Sequence, residues 1–250
     1  MITICLTYFR SLALANLAAA LYSVRRQDLS RVAALVVLDN ATDDPRDAIE
    51  AVVASLDFPV PVVFRSFKHG DRNRTHAWST NAAVEVAATP WVFFTRADYL
   101  LDFSTLAKFA SIVDAQPQDW DGFVTSNGRH LHYDIGGCEQ LCWRNSGPAA
   151  LGGIDFEYTC VDAGVWMARR NSVIRVGGLD ERLTAWGHAQ TLFQHKLHLA
   201  GVECVRIRET LFFHPAHGAE RDLAEAHRQL REIGATPQEL WDRYEGAKPY

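Results

Sequence analysis

Charged and imidazole side chains stand at the ends of apolar runs in this chain, the arrangement from which a ligand-binding edge is built. Residues 90–102 read PWVFFTRADYLLD, an apolar run that gives way abruptly to Arg96, Ala97 and Asp98. If the extended conformation continues, alternation puts Arg96 and Asp98 on one face, so that a cation and a carboxylate point into the same cleft. Ligands of open α/β sheets bind at that carboxyl edge. The competing reading is an ion pair at the end of a strand. Asp39 and Asn40 stop a second apolar run, and LFFHPAH brings His214 and His217 to the edge of a third. Cys138 and Cys142, with His130 and His132 upstream, match no strong zinc template, and the five scattered cysteines read as reduced thiols.

The elements that must position these groups follow from hydrophobic period and turn chemistry. Strands are expected at 2–8, 32–38, 60–66 and 91–95, where β-branched and apolar residues run between turn signals. Helices are expected between them at 11–26, 46–56 and 77–88, with Pro45 at a first helical position and Asp43 or Asp44 as cap. Strands separated by helices at this spacing imply right-handed crossovers and a parallel sheet. A helix from 104 to 113, a strand at 121–126, a strand before the basic pair Arg169 and Arg170, a helix over 188–199 closed by Gly201, and a strand at 202–207 complete the pattern. Residues 127–159 carry six glycines and no lasting period. They read as a functional loop or a concealed hairpin, whose Tyr133, Trp143, Phe156 and Tyr158 either stack on a sugar or cover the core. The tail, 220–250, repeats Leu223, Ala226, Leu230 and Ile233 at helical spacing amid dense charge, an amphipathic helix that packs on the domain or rests on a membrane or partner.

Composition limits the function. A chain of 250 residues, 48% hydrophobic and 22% charged, can bury one sizeable α/β core. Its net charge of −5 argues against nucleic acid as partner, while local basic clusters still suit a small phosphorylated ligand. The chain opens on a strand-like segment without a basic leader, and no apolar run approaches the ~20 residues of a membrane span. A cytoplasmic location is expected, with peripheral contact to the inner face of a membrane left open.

Several segments, in order, resemble the inverting glycosyltransferases of family 2. They are TYFRS at 7–11, LDNATDD at 38–44, NRTHAWSTNAA at 73–83, RAD at 96–98 in the place of a DxD motif, VGGLDERLTAWGHAQ at 176–190, and His214. The resemblance covers about residues 2–217 and implies the GT-A fold: α/β, with a Rossmann-like, mostly parallel central sheet flanked by helices. It implies a single domain over 1–218, with a nucleotide-binding half (1–102) and an acceptor-binding half (103–218), followed by a helical tail (219–250). It implies a nucleotide diphosphate sugar donor, such as a UDP-sugar, lying across the first strand ends. Thr7, Tyr8, Arg10, Asp39, Asn73, Asn81, Arg96 and Asp98 would contact the donor, with Asp39 accepting from a pyrimidine ring nitrogen. Asp98 and His214 would hold Mg²⁺ or Mn²⁺, and Trp186 with Gly187 would form an acceptor wall for a glycan or lipid-linked substrate.

Two departures strike the chemistry. Arg96 stands where the family usually has an aspartate, and Ala189 and Gln190 stand where it has a Glu-Asp pair. A glutamine amide orients an acceptor but cannot take its proton, so the base falls to His188, Asp162 or Asp155. His188 titrates near neutrality but lies about 200° around the helix from Gln190. Arg96 beside Asp98 repels a divalent cation yet can itself face the diphosphate, which would make the metal dispensable. Two other functions compete: a family relative that binds nucleotide sugar or glycan as a partner or regulator without transferring it, and a sugar nucleotidyltransferase. The second needs a glycine-rich loop after the first strand, which TYFRSLAL lacks, and no GxGxxG follows any expected strand to suit a dinucleotide oxidoreductase.

Overall fold

The β-branched run at the start of the chain forms β1 (Ile2–Phe9), buried along its whole length as a strand covered on both faces must be. The structure, a computed structural model, describes residues 1–9, 12–40, 44–67, 76–153, 158–160, 164–184, 188–217 and 223–235. From β1 the chain passes through α1 (Leu14–Arg25) to β2 (Val32–Asn40), and through α2 (Arg46–Ser55) to β3 (Val62–Phe67). Next come α3 (His76–Val86), β4 (Trp91–Arg96), the two-residue β5 (Leu100–Leu101) and α4 (Thr105–Asp114). Apart from β5, which the sequence reading did not expect, these match the expected elements to within a few residues at each end. Pro45 precedes the first residue of α2, and Asp44 makes no cap there, because its carboxylate receives the Tyr8 hydroxyl.

β6 (Gly122–His130) runs four residues further than expected. The segment after it, expected to be irregular, holds α5 (Ile135–Gln140), α6 (Trp143–Ser146), a 3-10 turn at Pro148–Gly153 and β7 (Tyr158–Cys160). Trp143 is fully buried with Cys138, Leu151 and Phe213, so it covers the core. Then follow β8 (Trp166–Arg169), α7 (Arg170–Arg175), α8 (Ala189–Leu199), β9 (Glu203–His214) and α9 (Leu223–Glu232). Gly201, at φ +76°, closes α8 in the left-handed conformation that glycine adopts without strain. Cys5, Cys138, Cys142 and Cys204 are free thiols.

Among the described residues one sheet of nine strands runs β3-β2-β1-β4-β8-β6-β9-β5, with β7 paired to β6. β3, β2, β1 and β4 are mutually parallel, as the βαβ spacing requires. Beyond β4 the sheet is mixed: β8 is antiparallel to both neighbours, while β6 and β9 are parallel. One core lies between the sheet and α1 with α4, and a second between the sheet and α3 with α8. Leu230 of α9 is fully buried in the second, so the start of the tail is part of the domain packing. Among the described residues no helix is long and apolar enough to cross a membrane.

Candidate functional site

β4 ends at Arg96, and the chain turns there instead of staying extended. The Ala97 amide donates to the Thr7 carbonyl (2.9 Å) and the Tyr99 amide to the Arg96 carbonyl (3.2 Å). This turn aims the Arg96 and Asp98 side chains at each other. Arg96 Nε donates to Asp98 Oδ1 at 2.9 Å and a terminal guanidinium nitrogen to Oδ2 at 2.5 Å, a bidentate pair whose side chains are 2% and 0% exposed. The guanidinium also lies over the Tyr99 ring, 4.4 Å from its centroid, and over the Phe9 ring at 5.7 Å.

Strand register then brings in the histidines. β5 pairs antiparallel with β9, Leu100 opposite Phe213, which sets His214 against Tyr99 with ring centroids 5.1 Å apart. β6 pairs parallel with β9, His130 opposite His214, and their Nδ1 atoms lie 2.9 Å apart. The Ala216 amide donates to the Tyr133 carbonyl (2.7 Å) and folds the next residues back, so that His217 reaches the same place. His214 Nε2 is 3.2 Å and His217 Nε2 3.4 Å from Asp98 Oδ2, and the two Nε2 atoms are 2.8 Å apart.

Electrostatics fixes the protonation states. Burial alone would raise Asp98, but the Arg96 guanidinium and the imidazoles of His214 and His217 hold its carboxyl well below the usual range. Burial lowers His214, assisted by Arg96 and His217 and opposed by Asp98, so its ring is neutral at neutral pH. An ionised carboxylate and neutral imidazole form a donor set that suits a divalent cation, and the ligand atoms of Asp98, His214 and His217 all lie within 4.8 Å of one another. Cys138 and Cys142 join no such group among the described residues.

The other expected site residues divide. Asp39, buried, is the penultimate residue of β2 and accepts the Ser66 hydroxyl at 2.6 Å. It is in register with Tyr8, while Thr7 is in register with Leu38 on one side and Arg96 on the other. Thr7 and Asp39 therefore leave the sheet on opposite faces and can meet one ligand only across the strand ends. Thr7 Oγ1 is buried with no hydrogen-bond partner among the described residues. The Tyr8 hydroxyl donates to Asp44 and to the Leu12 carbonyl. Asn81 is engaged by the turn 177–181: it accepts from the Leu179 amide (2.9 Å) and donates to the Leu179 carbonyl (3.0 Å) and Glu181 (2.8 Å).

His188 precedes α8 in the left-handed conformation, and its ring lies 5.0 Å from that of His227 on α9. Burial, and then His227, lower its pKa. Gln190 instead faces His76, with side-chain nitrogens 2.7 Å apart. His76, on the first turn of α3, packs near Phe9 and Phe94, and burial with the nearby Arg96 charge lowers its pKa to about 3. Neither His76 nor the place of His217 beside Asp98 emerges from the sequence reasoning, although HxxH at 214–217 is a local signal for the latter. Arg10, Asn73, Asp155, Asp162, Trp186 and Gly187 lie outside the described residues.

The profile of Glycosyl transferase family 2 matches residues 3–152. No curated protein matches the chain. Among solved structures, S. aureus TarS 1-349 superposes with a TM-score of 0.65 at 11% identity over 93% of this chain, which spans 64% of that fragment's length. The same fragment in complex with UDP-GlcNAc gives a TM-score of 0.64, at 11% identity over 93% of this chain and 65% of that one. The mannosyltransferase PcManGT from Pyrobaculum calidifontis, in complex with GDP-Man and Mn²⁺, gives 0.65 at 16% identity over 100% of this chain and 69% of its own. At such identities the likeness is one of fold, and the fold is GT-A.

Proposed function

The chain belongs to glycosyl transferase family 2, and from that premise we propose that it transfers a sugar, with inversion, from a nucleotide diphosphate sugar to a glycan or lipid-linked acceptor. The observation that carries this reading is the ionised, buried Asp98 with His214 beside it, at the carboxyl edge of the same parallel strands that carry Asp39. The likeness to structures titled as complexes with UDP-GlcNAc and with GDP-Man and Mn²⁺ supports a nucleotide-sugar donor.

In this reading Asp39, steadied by Ser66, accepts from the donor base, and Thr7, Tyr8, Arg10 and Asn73 border the nucleotide. Asp98 and His214 hold Mg²⁺ or Mn²⁺, whose contribution when bound is neutralisation of the charge that builds on the departing diphosphate. Arg96 neutralises Asp98 in its absence, and in this reading would share that work. Trp186 and Gly187 wall the acceptor. Gln190 orients the acceptor hydroxyl, and Asp162 or His188 takes its proton. The enzyme works in the cytoplasm, on acceptors at or near the inner face of the membrane.

Calorimetric titration with UDP-, GDP- and dTDP-sugars, with and without Mn²⁺, tests the reading. One of them binds, and Asp39→Ala weakens a pyrimidine donor by about 1–3 kcal/mol, the cost of an unmet buried polar partner. If no nucleotide sugar and no nucleoside diphosphate binds, the proposal fails. Gln190 favours a second reading, a protein that binds donor without transferring it, because its amide is held by His76 where the family carries acid. Donor hydrolysis separates the two: slow release of free sugar indicates a working transfer site, and binding without release indicates a binder.

A further inference from the structure

The three contacts among Asp98 Oδ2, His214 Nε2 and His217 Nε2 are more than hydrogen bonding can fill. The two Nε2 atoms are 2.8 Å apart, so at most one proton lies between them. Both also face one carboxylate oxygen, at 3.2 and 3.4 Å, and that oxygen already accepts from Arg96. A single proton cannot serve both the nitrogen–nitrogen contact and the two carboxylate contacts with good geometry. At least one lone pair therefore points into the triangle. Ligand atoms that share one ion at ~2.1 Å stand about 3.0–3.4 Å apart in octahedral or tetrahedral coordination, close to the three separations seen.

A further histidine stands behind the triangle. His130 Nδ1 lies 2.9 Å from His214 Nδ1, held there by the parallel register of β6 and β9. With the His214 proton on Nδ1 and donated to His130, Nε2 is left as the free donor atom, the way ligating histidines are commonly oriented. The site thus has an inner set of one carboxylate and two imidazoles, with His130 orienting one of them.

We propose that His217 is the third protein ligand of this site, taking the place of the carboxylate lost at position 96, and that the site selects a first-row transition ion over Mg²⁺. The reason is ligand chemistry: imidazole suits the later first-row ions such as Fe²⁺, Ni²⁺ and Zn²⁺, with Co²⁺ among them in affinity order, whereas Mg²⁺ prefers oxygen ligands and gives up water reluctantly. The inference deepens the reading of the site as a donor-binding centre, but its test contains no nucleotide, so the two can fail separately.

The test is titration of the full chain, freed of metal, with Co²⁺, followed by the visible absorption of the bound ion. A saturable one-to-one spectrum with nitrogen ligation is expected, displaced by equimolar Zn²⁺ and unmoved by a hundredfold excess of Mg²⁺. His217→Ala weakens Co²⁺ at least tenfold, and His130→Phe weakens it about tenfold or more, the usual range for a group behind a ligand. Far-UV circular dichroism checks that each variant is folded, and the Mg²⁺ competition on the unaltered chain needs no variant. Absence of Co²⁺ binding at millimolar concentration, displacement by Mg²⁺ at parity, or a folded His217→Ala protein that binds Co²⁺ within twofold of the original would each overturn the proposal. Donor binding without any of these metal effects would leave the sugar-transfer reading standing and remove this one.

Discussion

Replacing Arg96 by Met removes one half of an ion pair whose side chains are 2% and 0% exposed, and strands the Asp98 carboxylate in the core. Two hydrogen bonds to the guanidinium, at 2.9 and 2.5 Å, are lost with it. Breaking a buried pair from one side costs about 3–5 kcal/mol, because the remaining charge keeps its desolvation penalty. For a chain of this size each kcal/mol moves the melting temperature by roughly 2–4 °C, so a fall on the order of 10 °C is expected. Adding Asn at position 98 in the same chain removes the stranded charge and recovers most of the stability, so a double-mutant cycle returns a coupling of at least ~2 kcal/mol. Because Arg96 supplies the positive charge that a cation otherwise brings, saturating Mn²⁺ stabilises Arg96→Met more than it stabilises the unaltered chain. Thermal and urea unfolding, each with and without Mn²⁺, read all of these. An Arg96→Met protein within about 1 kcal/mol of the original, or one that Asp98→Asn fails to rescue, would refute the claim that the pair holds the end of β4 together.

Other perturbations follow from neighbouring elements. His76 sits near pKa 3 in the folded chain against 6.5 for an unperturbed histidine, so between those values the unfolded chain binds more protons and stability falls as pH falls. The loss amounts to about 1 kcal/mol between pH 6.5 and 5.5, and urea midpoints at the two values check it, with His76→Gln showing the shallower slope. Gly178 has φ +59°, and a Cβ there would stand 2.1 Å from Asn81 Oδ1. Gly178→Ala therefore costs more than Asn81→Ala, which loses the clamp on residues 177–181 at about 2–3 kcal/mol by denaturant unfolding. Gln229 of α9 accepts from the Thr184 amide (2.8 Å) and donates to its hydroxyl (2.7 Å), and Leu230 is fully buried. Ending the chain at residue 218 removes these contacts and lowers the melting temperature, read by thermal unfolding of the two chains.

The parallel half of the sheet was legible because each of its strands is an apolar run bounded by turn residues, and each connecting helix carries a stripe of the right period. Asp39 and the pair Arg96 and Asp98 stand out for the same reason, as the first charges after those runs. The second half was not legible in this way. β8 pairs with β4 and β6 in the reverse direction, a pairing that no local pattern announces, since a short buried strand reads the same in either sense. Residues 127–159 concealed short helices because glycines interrupt their period, and α6 is only four residues long. His130 and His214 meet across 84 residues of sequence through a register that itself shifts twice, between Ser126 and Gly128.

The family's two missing acids also look different once their neighbours are in place. Read along the chain, Arg96 and Gln190 stand where the family resemblance leads one to expect acids. In the fold, the Arg96 substitution is met within the same pair of strands: the guanidinium closes on Asp98, and His217 arrives beside the surviving carboxylate from the end of β9. Gln190 is met from α3 by His76, which burial keeps neutral, so the pair is a hydrogen-bonded contact without net charge. A site that had merely decayed would leave its remaining acid in water or pair it once. Here one carboxylate, 1% exposed, is approached by a guanidinium from the end of β4 and by two imidazoles from the end of β9 and the residues just after it, an arrangement whose chemistry suits a bound cation.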